Sequence, residues 1–256
     1  MLAGMSSPSP LRVGLFVTCL VDLVRPRIGF AALQLLEAAG CDITVPETQT
    51  CCGQPGYNAG DFAAARALAL KLADEFERCD YVVVPSGSCA GMIRVHYPKL
   101  FESDATARER IRRLADRTFE LTDFLVRIAK LDDAPGGGFD GRFTYHDACS
   151  GLRELGVKAQ PRALLAKLPD ATLVEMENTT TCCGFGGTFS NKYGEISARM
   201  AERKCAAIAK TGAGAVVAGD LGCLLNIEGR LRFMGDHTTR VLHVAEALTE
   251  AKHDAE

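Results

Sequence analysis

Eight cysteines stand where they could act together. TQTCCG at residues 48–53 recurs as TTTCCG at 179–184, so the pair Cys51–Cys52 has a twin in Cys182–Cys183. Cys19, ending VGLFVTC, matches Cys149, ending FTYHDAC, and Cys89, ending YVVVPSGSC, matches Cys223, ending AVVAGDLGC. The offsets are 130, 131 and 134 residues, in the same order along the chain, which marks a duplication. Four thiols per half can hold a tetrahedral zinc ion or an iron–sulfur cluster, and vicinal cysteines can also exchange a disulfide. Gly53 and Gly184 follow the pairs directly; without a Cβ, the backbone there can turn sharply and approach a bulky inorganic ligand. A helix beginning shortly after each glycine would favour thiolate charge through its N-terminal dipole.

The spacing discriminates among these chemistries. Zinc ribbons use short C-x2-C pairs, yet Cys89 is followed by Ala-Gly-Met and Cys223 by Leu-Leu-Asn. Adjacent cysteines point apart in most backbone conformations, so each pair is expected to serve different irons of one cluster rather than two corners of one tetrahedron. Iron–sulfur is therefore favoured over zinc, with disulfide exchange third. His146, three residues before Cys149, could ligate, shuttle a proton or hydrogen-bond a sulfur, or simply end a strand, and Asp147 shares that choice. Arg25, Arg27 and Arg153 could meet an anionic substrate, with solvated surface as the default. FGGTF at 185–189 lacks the Lys and the spacing of a phosphate-binding loop, and no dinucleotide fingerprint occurs. Cys41, Cys79 and Cys205 have no counterpart in the other half and read as packing residues.

Positioning the eight requires a particular kind of scaffold. Apolar runs at 11–18, 43–45 and 81–84 read as strands, and helical spacing at 28–39 and 62–76 reads as helices; the second half repeats this with strands at 142–145, 172–176 and 215–217 and helices at 161–168 and 195–210. Strands alternating with helices predict an α/β fold of two tandem, homologous Rossmann-like units with parallel sheets, related as a pseudo-twofold repeat. The first unit is expected over 11–131 and the second over 142–250, joined by the Gly- and Pro-rich linker DDAPGGGFDG at 132–141. Residues 1–10 and 251–256 are expected to fray. In a parallel sheet the carboxyl ends of all strands share one edge, so each set of four cysteines can converge across some seventy residues of sequence. Cys41 and Cys79 fall at the opposite edge. The runs FELTDFLVRIA from Phe119 and VLHVAEALTEA from Val241 are further counterparts.

Composition narrows the function class. The chain has 256 residues and 11 cysteines, an odd number that excludes a complete disulfide framework. A net charge of −3 argues against nucleic acid or an anionic membrane as partner. MLAGMSSPSPLR has no apolar core of a secretory signal, and no run approaches the ~18 apolar residues of a membrane span. A reducing cytoplasm is the expected location, where clustered cysteines bind metal or catalyse.

From about Leu11 to Leu248 the chain resembles the cysteine-rich CCG-domain proteins, a family that includes the cysteine-rich subunit of heterodisulfide reductase and the iron–sulfur subunit of glycolate oxidase. The segments LFVTCLVDL, PETQTCCGQPGYNAGD, VVVPSGSCAGM, TCCGFGGTFSNKYGEIS and DLGCLLNIEGRL carry the resemblance, which is closest to the lactate-utilising branch. It implies an electron-transfer component of a cytoplasmic system oxidising L-lactate to pyruvate, working with two further iron–sulfur or accessory subunits. It also implies iron–sulfur clusters of the [4Fe–4S] kind on Cys19, Cys51, Cys52, Cys89, Cys149, Cys182, Cys183 and Cys223, with zinc possible at one site and Gly53, Gly184 and His146 in support. Glycolate or another 2-hydroxy acid is equally compatible with these residues. The heterodisulfide reductase pattern ends in CxxC, five thiols per site, whereas Met92 and Asn226 stand at the fifth position here. Ordinary clusters, one cluster plus one zinc, and a site completed by a partner are all consistent with that departure. A zinc-stabilised scaffold and a thiol–disulfide enzyme are the two rival functions.

Overall fold

Short β-branched runs build two four-stranded parallel sheets. The structure, a computed structural model, describes residues 10–133 and 138–250. In the first half β1 (Arg12–Leu15), β2 (Asp42–Thr44), β3 (Tyr81–Val84) and β4 (Thr118–Glu120) assemble in the order β2-β1-β3-β4. In the second, β5 (Gly141–His146), β6 (Ala171–Leu173), β7 (Ala215–Ala218) and β8 (Arg240–His243) assemble as β6-β5-β7-β8. Every pairing is parallel. The central strands β3 and β7 are continuous apolar runs, as a strand covered on both faces requires. The α/β class, the parallel sheets and the repeat agree with the sequence reading.

Differences lie mainly at element ends. β1 stops at Leu15 rather than Thr18; Phe16 N still donates to the Val83 carbonyl of β3 (2.9 Å), and residues 17–18 then leave the sheet and deliver Cys19 to the first turn of a helix, Cys19–Val24. The helix expected at 161–168 spans Ala159–Leu165. The counterpart runs near Phe119 and Val241 are β4 and β8, each running into a short helix, Leu121–Arg127 or Val244–Thr249. After Cys89 the first half inserts a π-helical turn, Met92–His96, and helices Tyr97–Leu100 and Ala105–Asp116, where the second half has one helix, Leu221–Phe233. Residues 134–137 of the expected linker, and residues 1–9 and 251–256 expected to fray, lie outside the described residues. Among the described residues no helix is long and apolar enough to cross a membrane.

One apolar cluster spans both halves. Val13 and Leu15 of β1 and Leu35 and Leu36 of helix Arg27–Ala38 pack in it with Phe143 of β5 and Val244 at the start of the last helix. Each sheet covers its other face with a cluster of its own. The halves are therefore joined through shared core. Across the joint a Cβ on Gly87 would come within 2.9 Å of the Gly151 Cα, a closeness only glycine allows. Arg25 reaches over to the Glu228 carboxylate (2.5 Å) and the Val241 carbonyl (3.2 Å), and Arg27 pairs with Glu246. These two arginines hold the halves together; Arg153 is exposed.

Glu120 ends β4 inside the same joint. One of its oxygens accepts from Thr122 N (2.8 Å), Thr122 Oγ1 (2.6 Å) and Asp123 N (3.1 Å), capping helix Leu121–Arg127. Burial pushes its carboxyl up to about 7, above its ordinary value of 4.5. The folded protein thus keeps a proton that the unfolded chain releases. The resulting stabilisation is complete below about pH 4.5 and is lost as pH rises through about 7. Glu120→Gln is expected to gain stability relative to the parent over that interval, by up to about 3 kcal/mol. Urea unfolding of both proteins at matched pH values measures the difference, and a pH-independent difference would contradict it.

Candidate metal centres

Parallel strands bring the cysteines together in two rows. Cys19 opens the helix after β1, Cys51 and Cys52 sit in the loop after β2, and Cys89 lies in helix Gly87–Gly91 after β3. The sulfurs of Cys19 and Cys51 are 3.7 Å apart and those of Cys52 and Cys89 3.3 Å apart. A side-chain contact between Cys51 and Cys52 completes the first row. In the second half Cys149 contacts Cys182, Cys182 contacts Cys183, and Cys183 contacts Cys223, giving the same order. The inner members Cys52 and Cys183 are buried, while Cys19, Cys51, Cys149 and Cys182 keep partial exposure. Cys41 and Cys79 precede β2 and β3 at the far edge, and Cys205 packs inside helix Gly194–Lys210, 3.7 Å from the Ile227 carbonyl. All 11 cysteines are free thiols.

The vicinal sulfurs do not diverge. Gly53 and Gly184 adopt left-handed φ values of 80° and 91° and fold the chain back on itself. Gly53 N then donates to Cys51 Sγ (3.3 Å) and Gly184 N to Cys182 Sγ (3.4 Å), drawing the first sulfur of each pair over its own turn and toward the second. Phe185 N adds a long contact to Cys183 Sγ (3.5 Å). Hydrogen bonds from Cys19 and Cys52 hold the Cys51 thiol far below its ordinary range, and Cys149 and Cys183 do the same to Cys182. Their partners Cys19, Cys52, Cys149 and Cys183 are pushed up, first by those same hydrogen bonds and then by burial.

The positions of the missing fifth thiols have other work. Asn226 donates its amide to the Cys183 carbonyl (2.8 Å), and in the first half Tyr97 donates its hydroxyl to the Cys52 carbonyl (2.7 Å). Both clamp the inner cysteine's backbone from a neighbouring helix. Met92 is fully buried in the core. Asp147, weighed as a possible reactive group, is committed to Arg162 through two contacts of 2.8 and 3.2 Å.

Four converging soft sulfurs fit a thiophilic metal centre in each half. Tetrahedral bonding at ~2.3 Å places ligand sulfurs about 3.8 Å apart; the separation of 3.7 Å between Cys19 and Cys51 matches, and that between Cys52 and Cys89 is shorter. In front of the first row, however, lies a cavity of about 280 Å³, far more room than one ion needs. The second half supplies much of its wall, through Phe185, Thr188 and Asn191 and the turn at Asp220–Gly222. Among the described residues no basic side chain lines it. In the second row a ring nitrogen of His146 and the sulfurs of Cys183 and Cys223 lie within 4.8 Å of one another. His146 is buried, among the described residues its ring nitrogens make no hydrogen bond of ordinary geometry, and burial pushes its imidazole down to about 4, so it is neutral and has the form that donates or ligates.

Four contributors are not marked by any motif the sequence analysis weighed as a metal ligand: the segment after the second CCG, Lys204, Ser86 and Asp220. The segment after the second CCG was dismissed as a phosphate loop, yet it walls the first site. Lys204, which no motif in the sequence singles out, is buried beside the second row. Ser86 and Asp220 are equivalent helix N-caps, three residues before Cys89 and Cys223, and the Ser-x-x-Cys and Asp-x-x-Cys spacing could have flagged them. Asp220 accepts from Ser86 Oγ (3.2 Å), Ser88 N (2.9 Å) and Gly222 N (3.2 Å), so one carboxylate ties the last-cysteine loops of both rows. Asp220→Ala leaves those donors unmatched and is expected to cost about 2–4 kcal/mol in urea unfolding of the metal-free protein. A loss below about 0.5 kcal/mol, the level of an ordinary surface change, would show the contact to be idle.

Comparison with known proteins places this architecture. The family model for the CCG cysteine-rich domain matches residues 13–94 and again 143–228. Lactate utilization protein A of Geobacillus sp. (strain WCH70) is 45% identical over 238 residues, covering 93% of this chain and 99% of that protein. Its namesake from Bacillus cereus (strain G9842) is 42% identical, covering 93% and 98%. A solved structure of a hypothetical protein from Helicobacter pylori shares the fold with a TM-score of 0.67 at 11% identity; the match covers 97% of this chain and 50% of that one. A twice-matched domain and near full-length relatives at this identity leave one assignment: the chain belongs to the family of cysteine-rich CCG-domain proteins that includes lactate utilization protein A.

Proposed function

We propose that this chain is the iron–sulfur, electron-transfer component of a system that oxidises L-lactate to pyruvate, with one centre in each repeat, 11–131 and 142–250. The observation that carries the reading is the pair of four-sulfur rows, linked to each other through Ser86 and Asp220. The names of the relatives support lactate as the compound served. The cavity at the first row supports transfer rather than substrate oxidation at this chain. A 2-hydroxy acid carries a carboxylate, and a mostly apolar cavity without a basic side chain offers it no counter-charge. The oxidation itself then falls to partner subunits of the same system.

A thiolate-bound cluster supplies reversible one-electron transfer, with its potential set by net charge, sulfur hydrogen bonds and exposure. The chain's own residues provide those settings. Cys19, Cys51, Cys52 and Cys89 would hold the first centre; Cys149, Cys182, Cys183 and Cys223 would hold the second. Gly53 N and Gly184 N donate to sulfur, and Tyr97 and Asn226 keep the inner cysteines from swinging away. Phe185 and its neighbours form the far wall of the cavity in front of the first row. Zinc in the second row is the alternative that His146 favours, as a nitrogen ligand among sulfurs.

Iron, sulfide and zinc analysis of anaerobically purified protein decides between them. Iron and sulfide are expected in amounts that fall by about half in Cys51→Ser and again in Cys182→Ser, with the visible absorption falling in step. Stoichiometric zinc in both rows, with colourless protein, would sink the electron-transfer reading. Deleting the gene is expected to abolish growth on L-lactate as sole carbon source while sparing growth on pyruvate; unchanged growth on lactate would remove lactate from the proposal.

A further inference from the structure

The two rows are not lined alike. Gly53 lies against Ala65 and Leu68, and Gly184 against Ser197 and Met200, so the helices behind the two CCG turns correspond at a shift of 132 residues. The buried positions of helix Phe62–Glu75 continue that register, and it sets Lys204 where the first half has Leu72. Leu72 shares an apolar cluster with Cys52 and Phe16. At the offset of the first cysteines, Phe16 corresponds to His146. Two apolar residues that share a core cluster with Cys52 of the first row are thus replaced by a lysine and a histidine in the second.

Lys204 is only 1% exposed. Its Nζ donates to the carbonyls of Asn178 (3.1 Å) and Thr179 (3.0 Å) and faces Met176 Sδ at 3.8 Å. Three acceptors for three hydrogens is the environment of an ammonium, since a neutral amine would turn its lone pair on one of them. All three acceptors are uncharged, and a buried charge without compensation is costly. Burial pushes the Lys204 ammonium below its ordinary range. What opposes this is the Asp147 carboxylate, already engaged by Arg162, together with the sulfurs of Cys183, Cys223 and Cys182, which become anionic when they hold a metal centre.

We infer that Lys204 is the charge-compensating residue of the second row and makes that row the electron-accepting end of the pair. The inference rests on the iron–sulfur reading above. Adding an electron makes a thiolate-bound centre more negative, and an adjacent buried cation favours that state. Apolar Leu72 and Phe16 give the first row no such help. In the transfer one electron leaves the first centre, which is oxidised, and enters the second, which is reduced; no bond forms or breaks and no proton moves. Oxidation of a 2-hydroxy acid to its 2-oxo acid on a partner subunit releases two electrons and two protons. The protons leave to solvent there, and the electrons enter the first row one at a time and pass from the second row to a one-electron acceptor on a partner.

The test is an EPR-monitored redox titration of the full-length, anaerobically purified protein, with Cys51→Ser and Cys182→Ser assigning each signal to a row. Two midpoints are expected, the higher one belonging to the second row. Lys204→Gln should lower that midpoint by at least 59 mV, a tenfold change in a one-electron equilibrium constant, and leave the first in place. Lys204→Arg, which keeps the charge, should restore it. A second-row midpoint at or below the first in the parent protein overturns the inference without any change at Lys204. So does an unmoved midpoint, or an equal shift of both rows, in Lys204→Gln. Iron and sulfide analysis of the same samples separates the two levels. Clusters in both rows with equal potentials overturn only the role of Lys204, whereas zinc or no metal in the second row overturns the iron–sulfur reading there and this inference with it.

Discussion

Thiols pressed to within 4 Å of one another cannot all ionise, because each thiolate repels the next. Both rows show the compromise. Cys51 and Cys182 carry the charge most readily, and the sulfurs beside them are driven toward the protonated form. A thiophilic cation reverses that balance by sharing charge among all four sulfurs, which makes metal binding and proton release one event. The surrounding fold is arranged to impose the crowding. Parallel strands deliver three loops to one edge, a left-handed glycine folds each CC pair over its own amide, and a clamp from a neighbouring helix keeps the inner cysteine in place.

Duplication supplies two such rows, and the pseudo-twofold relation between them imposes a second constraint. The turns before Cys89 and Cys223 abut, so equivalent residues meet across the joint. Two aspartates there would repel, while a serine facing an aspartate makes a hydrogen bond. Ser86 and Asp220 have taken those separate roles, and the carboxylate also gathers the backbone amides of Ser88 and Gly222. The repeat diverges in the same way behind the rows, where Phe16 and Leu72 of one half correspond to His146 and Lys204 of the other. A symmetric scaffold thereby carries an asymmetric pair of sulfur rows.

The repeat, the alternation of strands and helices and the convergence of the eight cysteines were legible from the chain alone. They rest on local periodicity and on the rule that parallel strands share a carboxyl edge. β3 was legible residue for residue, because Tyr81–Val84 is a closed apolar run between polar turns. What misled was equally local. Vicinal cysteines diverge in an average backbone, but Gly53 and Gly184 are not in an average backbone, and their amides pull one sulfur of each pair back. Arg25 reads as a solvated or substrate-facing charge until Glu228, some two hundred residues away, comes to meet it.

The sequence by itself determined the fold class and the eight sulfurs that converge in two rows, since these follow from spacing and from strand polarity. Tertiary structure alone decided what surrounds the sulfurs. It placed Phe185 of the second half over the first row, buried Lys204 behind the second, and turned Asn226 from an absent thiol into a backbone clamp. The reason is physical. Periodicity shows which face of an element is inward, but the charge of a site depends on residues from several elements, and only the packing of the two halves brings them within a few ångströms.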